Sequence, residues 1–135
     1  MAKILLVEDD QLLVRLYQKK FTMEGFTVVT ARDGSEGIVR AQNEQPDIIL
    51  LDLMMPKATG YDMLQVLQGS PQLKNIPVVV LTNLSSDVEE ERARAMGATD
   101  YLVKANNPPA VVVDRIKELL ARDETEESDR ESGGT

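Results

Sequence analysis

The chain has 135 residues, 42% hydrophobic and 28% charged, with a net charge of −8, which makes one domain long enough to bury a core without staples. It contains no Cys and no His, excluding disulfides, thiolate or imidazole metal sites and any Ser-His-Asp arrangement. Residues 122–135 hold two basic and six acidic residues; neither this tail nor the acidic body is a footprint for nucleic acid, and no apolar run reaches the length of a membrane span.

Met1-Ala2-Lys3 leads straight into a strand with no signal-peptide organisation, so a soluble, cytoplasmic protein is expected. Lys3-Ile4-Leu5-Leu6-Val7 reads as a central strand with Glu8, Asp9 and Asp10 at its end. From Gln11 the period becomes helical. Leu13, Leu16, Tyr17, Lys20 and Phe21 share a stripe, Asp10 is the N-cap and Gly25 suits the C-terminus. Phe26 to Thr30 is β-rich and more polar, as an edge strand would be. Asp33-Gly34-Ser35-Glu36 resembles a capping box and opens a helix through about Asn43.

Pro46 introduces the stretch that organises the chain. Ile48 to Leu51 is an apolar run buried on both faces; it ends on Asp52 and breaks at Met55-Pro56. Lys57 to Gly60 is a loop. The next helix has the apolar set Tyr61, Met63, Leu64 and Leu67, and Gly69-Ser70-Pro71 ends it. Ile76 to Leu81 is a second buried strand, ending in Thr82. Ser85 or Ser86 caps a helix whose first turn is acidic and whose apolar content is thin: Val88, Ala95 and Met96. Gly97 ends it. Thr99 to Val103 is the fifth strand, ending in Lys104. Asn107 and Pro108 open a last helix with the stripe Val112, Ile116, Leu119 and Leu120. Beyond Arg122, residues 123–135 form an acidic tail expected to be disordered.

Strand and helix alternate five times, the pattern of an α/β, doubly wound parallel sheet. The carboxyl ends of its strands then lie along one edge, where ligands gather in such folds. That edge collects Glu8, Asp9 and Asp10, then Asp52, Thr82 and Lys104. Any one of these acids alone is an ordinary turn or helix cap. Together they crowd like charges, which at about 4 Å repel by roughly 4 kcal/mol at an effective dielectric near 20. All-oxygen ligands suit a hard, hydrated cation, Mg²⁺ before others. Asp52, ending the central strand, is the candidate nucleophile, since aspartate attacks phosphorus to give an acyl phosphate. Phosphoryl transfer asks mainly for positioning and positive charge, which Mg²⁺, the Lys104 ammonium and the Thr82 hydroxyl would supply.

Leu6-Val7-Glu8-Asp9-Asp10, Leu50-Leu51-Asp52-Leu53-Met54-Met55-Pro56, Thr82 and Tyr101-Leu102-Val103-Lys104 resemble the receiver domain (CheY-like) of two-component response regulators. The resemblance runs from Lys3 to about Arg122, so residues 1–122 would be the receiver domain. It implies a flavodoxin-like, five-stranded, three-layer sandwich with strand order 2-1-3-4-5. It implies that Asp52 takes a phosphoryl group from the phosphohistidine of a sensor histidine kinase or phosphotransfer protein. Asp9 and Asp52 would ligate Mg²⁺ directly, Glu8 through water, and Met54 through its backbone carbonyl. Lys104 would pair with the phosphoryl group, Thr82 would move towards it, and Tyr101 would turn inward as the aromatic switch. The face of the fourth helix, fifth strand and fifth helix would then change its affinity for a downstream effector or output domain, as a monomer or a phosphorylation-dependent dimer.

Two departures stand out. Ala105 follows the lysine where the family usually has proline, so the loop is either trans or strained. Met54 and Leu84 would flank the site with apolar side chains that cannot activate water, which implies slow self-dephosphorylation. Alternatives are a receiver fragment of a larger DNA-binding regulator, a Mg²⁺-dependent aspartyl phosphohydrolase, a flavodoxin-like cofactor binder and an unphosphorylated scaffold. The phosphohydrolase would want an acid at Met54, and the cofactor binder a phosphate loop where Glu8-Asp9-Asp10 stand.

Overall fold

The computed structural model describes residues 2–55 and 59–133, with side chains up to Arg122. Pro56, Lys57 and Ala58 of the expected loop lie outside the described residues. The elements run β1 (Lys3–Val7), α1 (Gln11–Met23), β2 (Thr27–Ala31), α2 (Gly34–Glu44), β3 (Ile48–Leu51), α3 (Gly60–Gly69), β4 (Val78–Thr82), α4 (Asp87–Ala95), β5 (Asp100–Val103), a 3-10 turn (Lys104–Asn106) and α5 (Pro109–Gly133). All strand pairs are parallel and the order is β2-β1-β3-β4-β5, as the resemblance implies.

The three layers follow from the two-residue period of the strands. Leu5, Val7, Ile49, Leu51, Val78 and Val80 face one way, covered by Ala41 of α2, Met63, Leu64 and Leu67 of α3, and Ala93 of α4. Ile4, Leu6, Ile48, Leu50, Val79 and Leu81 face the other way, covered by Val14, Tyr17 and Phe21 of α1 and by Val112, Val113, Ile116 and Leu119 of α5. Strands β1, β3 and β4 are buried on both faces, hence their unbroken apolar runs.

Several expectations shift by a residue or a helical phase. The inner stripe of α1 is Val14, Tyr17 and Phe21, while Leu16 faces out. This phase sets Phe21 against both Tyr17 and Phe26, at ring separations of 6.0 and 5.9 Å. In α4 only Ala93 is buried, and Val88 is 72% exposed. The small Ala93 allows close approach to the sheet, and that phase turns Val88 to solvent. Helix α5 starts at Pro109 because the Pro108 carbonyl already accepts from the Val112 N–H. The Asn107 side chain donates to the Val103 carbonyl at 2.9 Å instead of capping the helix. No cis peptide bond occurs among the described residues, so Lys104–Ala105 is trans. The backbone of α5 continues as helix to Gly133, into the stretch 123–135 expected to be disordered. Side chains from Asp123 on, and that expectation with them, lie outside the described residues.

Two features fix the geometry around the carboxyl ends. Gly60 opens α3 against the chain that leaves β3. A Cβ there would lie 2.5 Å from the Asp52 carbonyl oxygen and 2.6 Å from the Leu53 Cα, and its N–H donates to the Leu53 carbonyl. At the other end of the sheet Asp100, 8% exposed, accepts from Arg94 of α4, Arg115 of α5 and the Tyr101 N–H. Burial opposes ionisation of Asp100, but these donors and charges outweigh it and hold its carboxyl below the usual carboxylate range.

Two outcomes follow. Gly60→Ala costs about 2 kcal/mol or more in urea unfolding, because backbone rather than a flexible side chain blocks the added methyl. Asp100→Asn costs about 2 kcal/mol at neutral pH, below the range for a broken buried pair because both arginines can rehydrate. A depressed native carboxyl contributes stability above its unfolded value, about 3.9, and loses it as pH falls through the lower native value. The gap between wild type and Asp100→Asn therefore persists at neutral pH and closes in acid; a pH-independent gap would refute the assignment.

Candidate functional site

The register places the site. Val7 pairs with Leu51, and Leu51 with Val80, so Glu8, Asp52 and the end of β4 emerge side by side. The Asp52 N–H donates to the Val7 carbonyl and the Glu8 N–H to the Ala31 carbonyl, carrying the ladder one residue past each strand. Asp52 and Glu8 are thus held on rigid sheet, 5% and 3% exposed, while Asp9 is exposed at the rim.

Lys104 lies between the buried acids. Its Nζ is 2.6 Å from Glu8 Oε1 and 3.1 Å from Asp52 Oδ2. The second oxygens are also used: Asp52 Oδ1 accepts from the Met54 N–H at 3.0 Å, and Glu8 Oε2 from the Asp9 N–H at 3.0 Å. Burial pushes the Glu8 carboxyl up to about 7; the Lys104 hydrogen bond opposes this and the neighbouring Asp52 adds to it. Burial pulls the Lys104 ammonium down, but Glu8 and Asp52 outweigh it, so its pKa is raised. Lysine therefore stays charged at neutral pH.

Glu8, Asp9 and Asp52 each offer a carboxylate oxygen, all within 4.8 Å of one another. With the acids ionised, three carboxylates and one ammonium leave two negative charges uncompensated. The donors are all hard oxygens, so the cluster fits a divalent cation of the Mg²⁺ type.

The other expected residues stand beside this cluster. Thr82 is fully buried, and its hydroxyl accepts from the Leu84 N–H at 3.4 Å. Tyr101 is already inward: its ring is buried and its hydroxyl donates to the Leu84 carbonyl at 2.7 Å. A buried phenol needs such a partner, and Leu84 provides one. The backbone of Leu84 was not singled out in the sequence, yet its N–H and its carbonyl join Thr82 and Tyr101. Its side chain packs on the cluster that contains Tyr101. Met54 is 55% exposed. Gly60 and the cap Thr59 were read only as loop. The Thr59-x-x-Asp62 capping box was the signal that could have marked them.

Comparison with known proteins agrees with this geometry. Residues 4–117 match the family model described as the response regulator receiver domain. The transcriptional regulatory protein CpxR of Escherichia coli is 39% identical over 122 residues, 90% of this chain and 50% of CpxR. The BeF3-activated N-terminal receiver domain of RstA from Klebsiella pneumoniae superposes with a TM-score of 0.80 at 34% identity, covering 87% of this chain and 97% of that one. A response regulator solved in its Mn²⁺-bound form gives 0.76 at 31% identity, covering 87% and 92%. The chain spans about half the length of the curated relatives it matches. No described helix is long and apolar enough to cross a membrane. With the model covering most of the chain and the strand order matching, the chain belongs to the response regulator receiver domain family.

Proposed function

We propose that Asp52 accepts a phosphoryl group from the phosphohistidine of a sensor histidine kinase or phosphotransfer protein. The observation that carries this is one ammonium shared by two buried carboxylates, with a third acid at the rim. An Asp52 carboxylate oxygen attacks phosphorus, the phosphorus–nitrogen bond breaks, and the imidazole nitrogen keeps the electron pair. Asp9 and Asp52 would hold Mg²⁺ directly, Glu8 through water, and Met54 through its carbonyl. That ion would neutralise charge on the transferring oxygens.

Lys104 is placed to follow the charge. It pairs with Asp52 now and would pair with a phosphoryl oxygen once Asp52 is an acyl phosphate. Thr82, drawn to the same group, would give up its bond from Leu84. Tyr101 holds the carbonyl of the same residue, so the change would reach β5 and the α4–β5–α5 face. Partners would be a kinase and a downstream effector or output domain, in the cytoplasm, with the chain a monomer or a phosphorylation-dependent dimer. Residues 1–122 would form the receiver domain and 123–135 the start of a linker. The half-length coverage of transcriptional regulators supports a receiver portion of a DNA-binding regulator as the second reading.

Incubation with Mg²⁺ and acetyl phosphate should add one group of about 80 Da, read by intact mass. Asp52→Asn or chelation of the metal should abolish it; an adduct that survives Asp52→Asn refutes the assignment. Met54 sets an exposed apolar side chain next to Asp52, where nothing on it can orient water. Met54→Asn should speed phosphate release by about ten-fold, within the range of a single positioning group. An unchanged lifetime would place control of release elsewhere.

A further inference from the structure

Helix α4 is lightly held. Ala93 is its one buried residue, and Val88 projects into solvent. What grips its first half is polar and comes from α3. The Tyr61 hydroxyl donates to a Glu89 carboxylate oxygen, and the Arg92 guanidinium carbon lies 3.9 Å from the centroid of the same ring. Glu89 and Arg92 are neighbours on one helical face, so a single ring engages both charges. Burial and the Glu89 bond push the Tyr61 phenol well above its ordinary value, so it remains a donor at neutral pH.

The same ring reaches back towards the site. Tyr61 packs on the apolar cluster that contains Tyr101 and Leu84. Its neighbour Gly60 is pressed on the Asp52 carbonyl and the Leu53 Cα, and is hydrogen-bonded to the Leu53 carbonyl. One peptide unit therefore separates the backbone of the phosphoacceptor from the grip on α4.

We infer that Tyr61 is a second coupling residue, a latch that holds α4 in its resting position and transmits displacement of the Asp52 loop to that helix, separately from Thr82 and Tyr101. The latch belongs to the unmodified protein; only what releases it rests on the phosphoacceptor reading of Asp52. A ligand or modification shifts a helix between two positions by its differential interaction with them. Removing the latch should bias α4 towards the released position before any phosphoryl group arrives.

Hydrogen–deuterium exchange on the full chain tests this. Tyr61→Phe keeps the ring, its packing and the Arg92 stack, and removes only the donor. It should raise exchange over residues 87–95 by about five-fold, the scale of a partly exposed hydrogen bond to a charged group. Exchange over 100–103 and 112–119 should not change. Glu89→Ala should act likewise, and the double variant no more than either alone. Unchanged exchange over 87–95 in Tyr61→Phe overturns the latch. In the phosphorylated arm, the rise in α4 exchange caused by acetyl phosphate should shrink in Tyr61→Phe, and its adduct should form faster. Equal rises in both proteins overturn the coupling, because a merely structural tyrosine would leave that increment alone. Absence of an adduct in both overturns the phosphoacceptor reading and the coupling with it, while raised exchange in unphosphorylated Tyr61→Phe still supports the latch.

Discussion

One ammonium group serves two buried carboxylates, and the rest of the site is arranged around that shortage. Lys104 faces Glu8 and Asp52 together, with Asp9 beside them at the rim. Such crowding opposes folding, and the apolar clusters on both faces of the sheet offset it. The sheet also prevents escape: Glu8 and Asp52 are each tied into the ladder by their own N–H groups. Two reliefs remain. Glu8, pushed up to about 7, can take a proton, or the cluster can take a divalent cation. Proton and cation thus relieve the same excess of negative charge.

Thr82 and Tyr101 are joined through the backbone of one residue. Leu84 gives its N–H to the Thr82 hydroxyl and its carbonyl to the Tyr101 hydroxyl. In the first of these bonds the Thr82 hydroxyl is the acceptor, so its own O–H remains a donor. Tyr101 is already buried, its hydroxyl held by the Leu84 carbonyl. The neighbouring α4 has little apolar attachment.

The fold was legible because every buried strand is an unbroken apolar run, and each run ends abruptly on a polar residue. The grouping of acids and lysine was legible for the same reason: parallel strands bring their ends together, so Glu8, Asp52 and Lys104 were expected side by side. Helix phase was less readable. In α1 the expected stripe held at Leu13, Tyr17 and Phe21, but Leu16 faces out and Val14 takes the inner place, with Phe21 set between Tyr17 and Phe26. In α4 the larger apolar residue, Val88, lost to the smaller Ala93, because close approach to the sheet favours a small side chain. Asp100 and Tyr61 were missed for a different reason. Their partners lie on other elements, Arg94 and Arg115 for one and Glu89 and Arg92 for the other, and no local spacing announces a tertiary hydrogen bond.

The absence of proline after Lys104 bears on where a signal leaves the site. The Lys104–Ala105 bond is trans, and the turn Lys104–Asn106 is closed by Asn107, whose side chain and N–H reach the Val103 and Lys104 carbonyls. The lysine is therefore mounted on a turn stitched by its own residues, immediately before a helix whose Val112, Val113, Ile116 and Leu119 are all buried. To shift α5 would mean moving four core side chains out of register with the sheet. To shift α4 would disturb one alanine and a handful of polar contacts. The cheaper motion is at α4, and the substitution after the lysine does not touch its contacts. Burial thus leaves α4 the more easily displaced of the two helices, whatever residue follows the lysine.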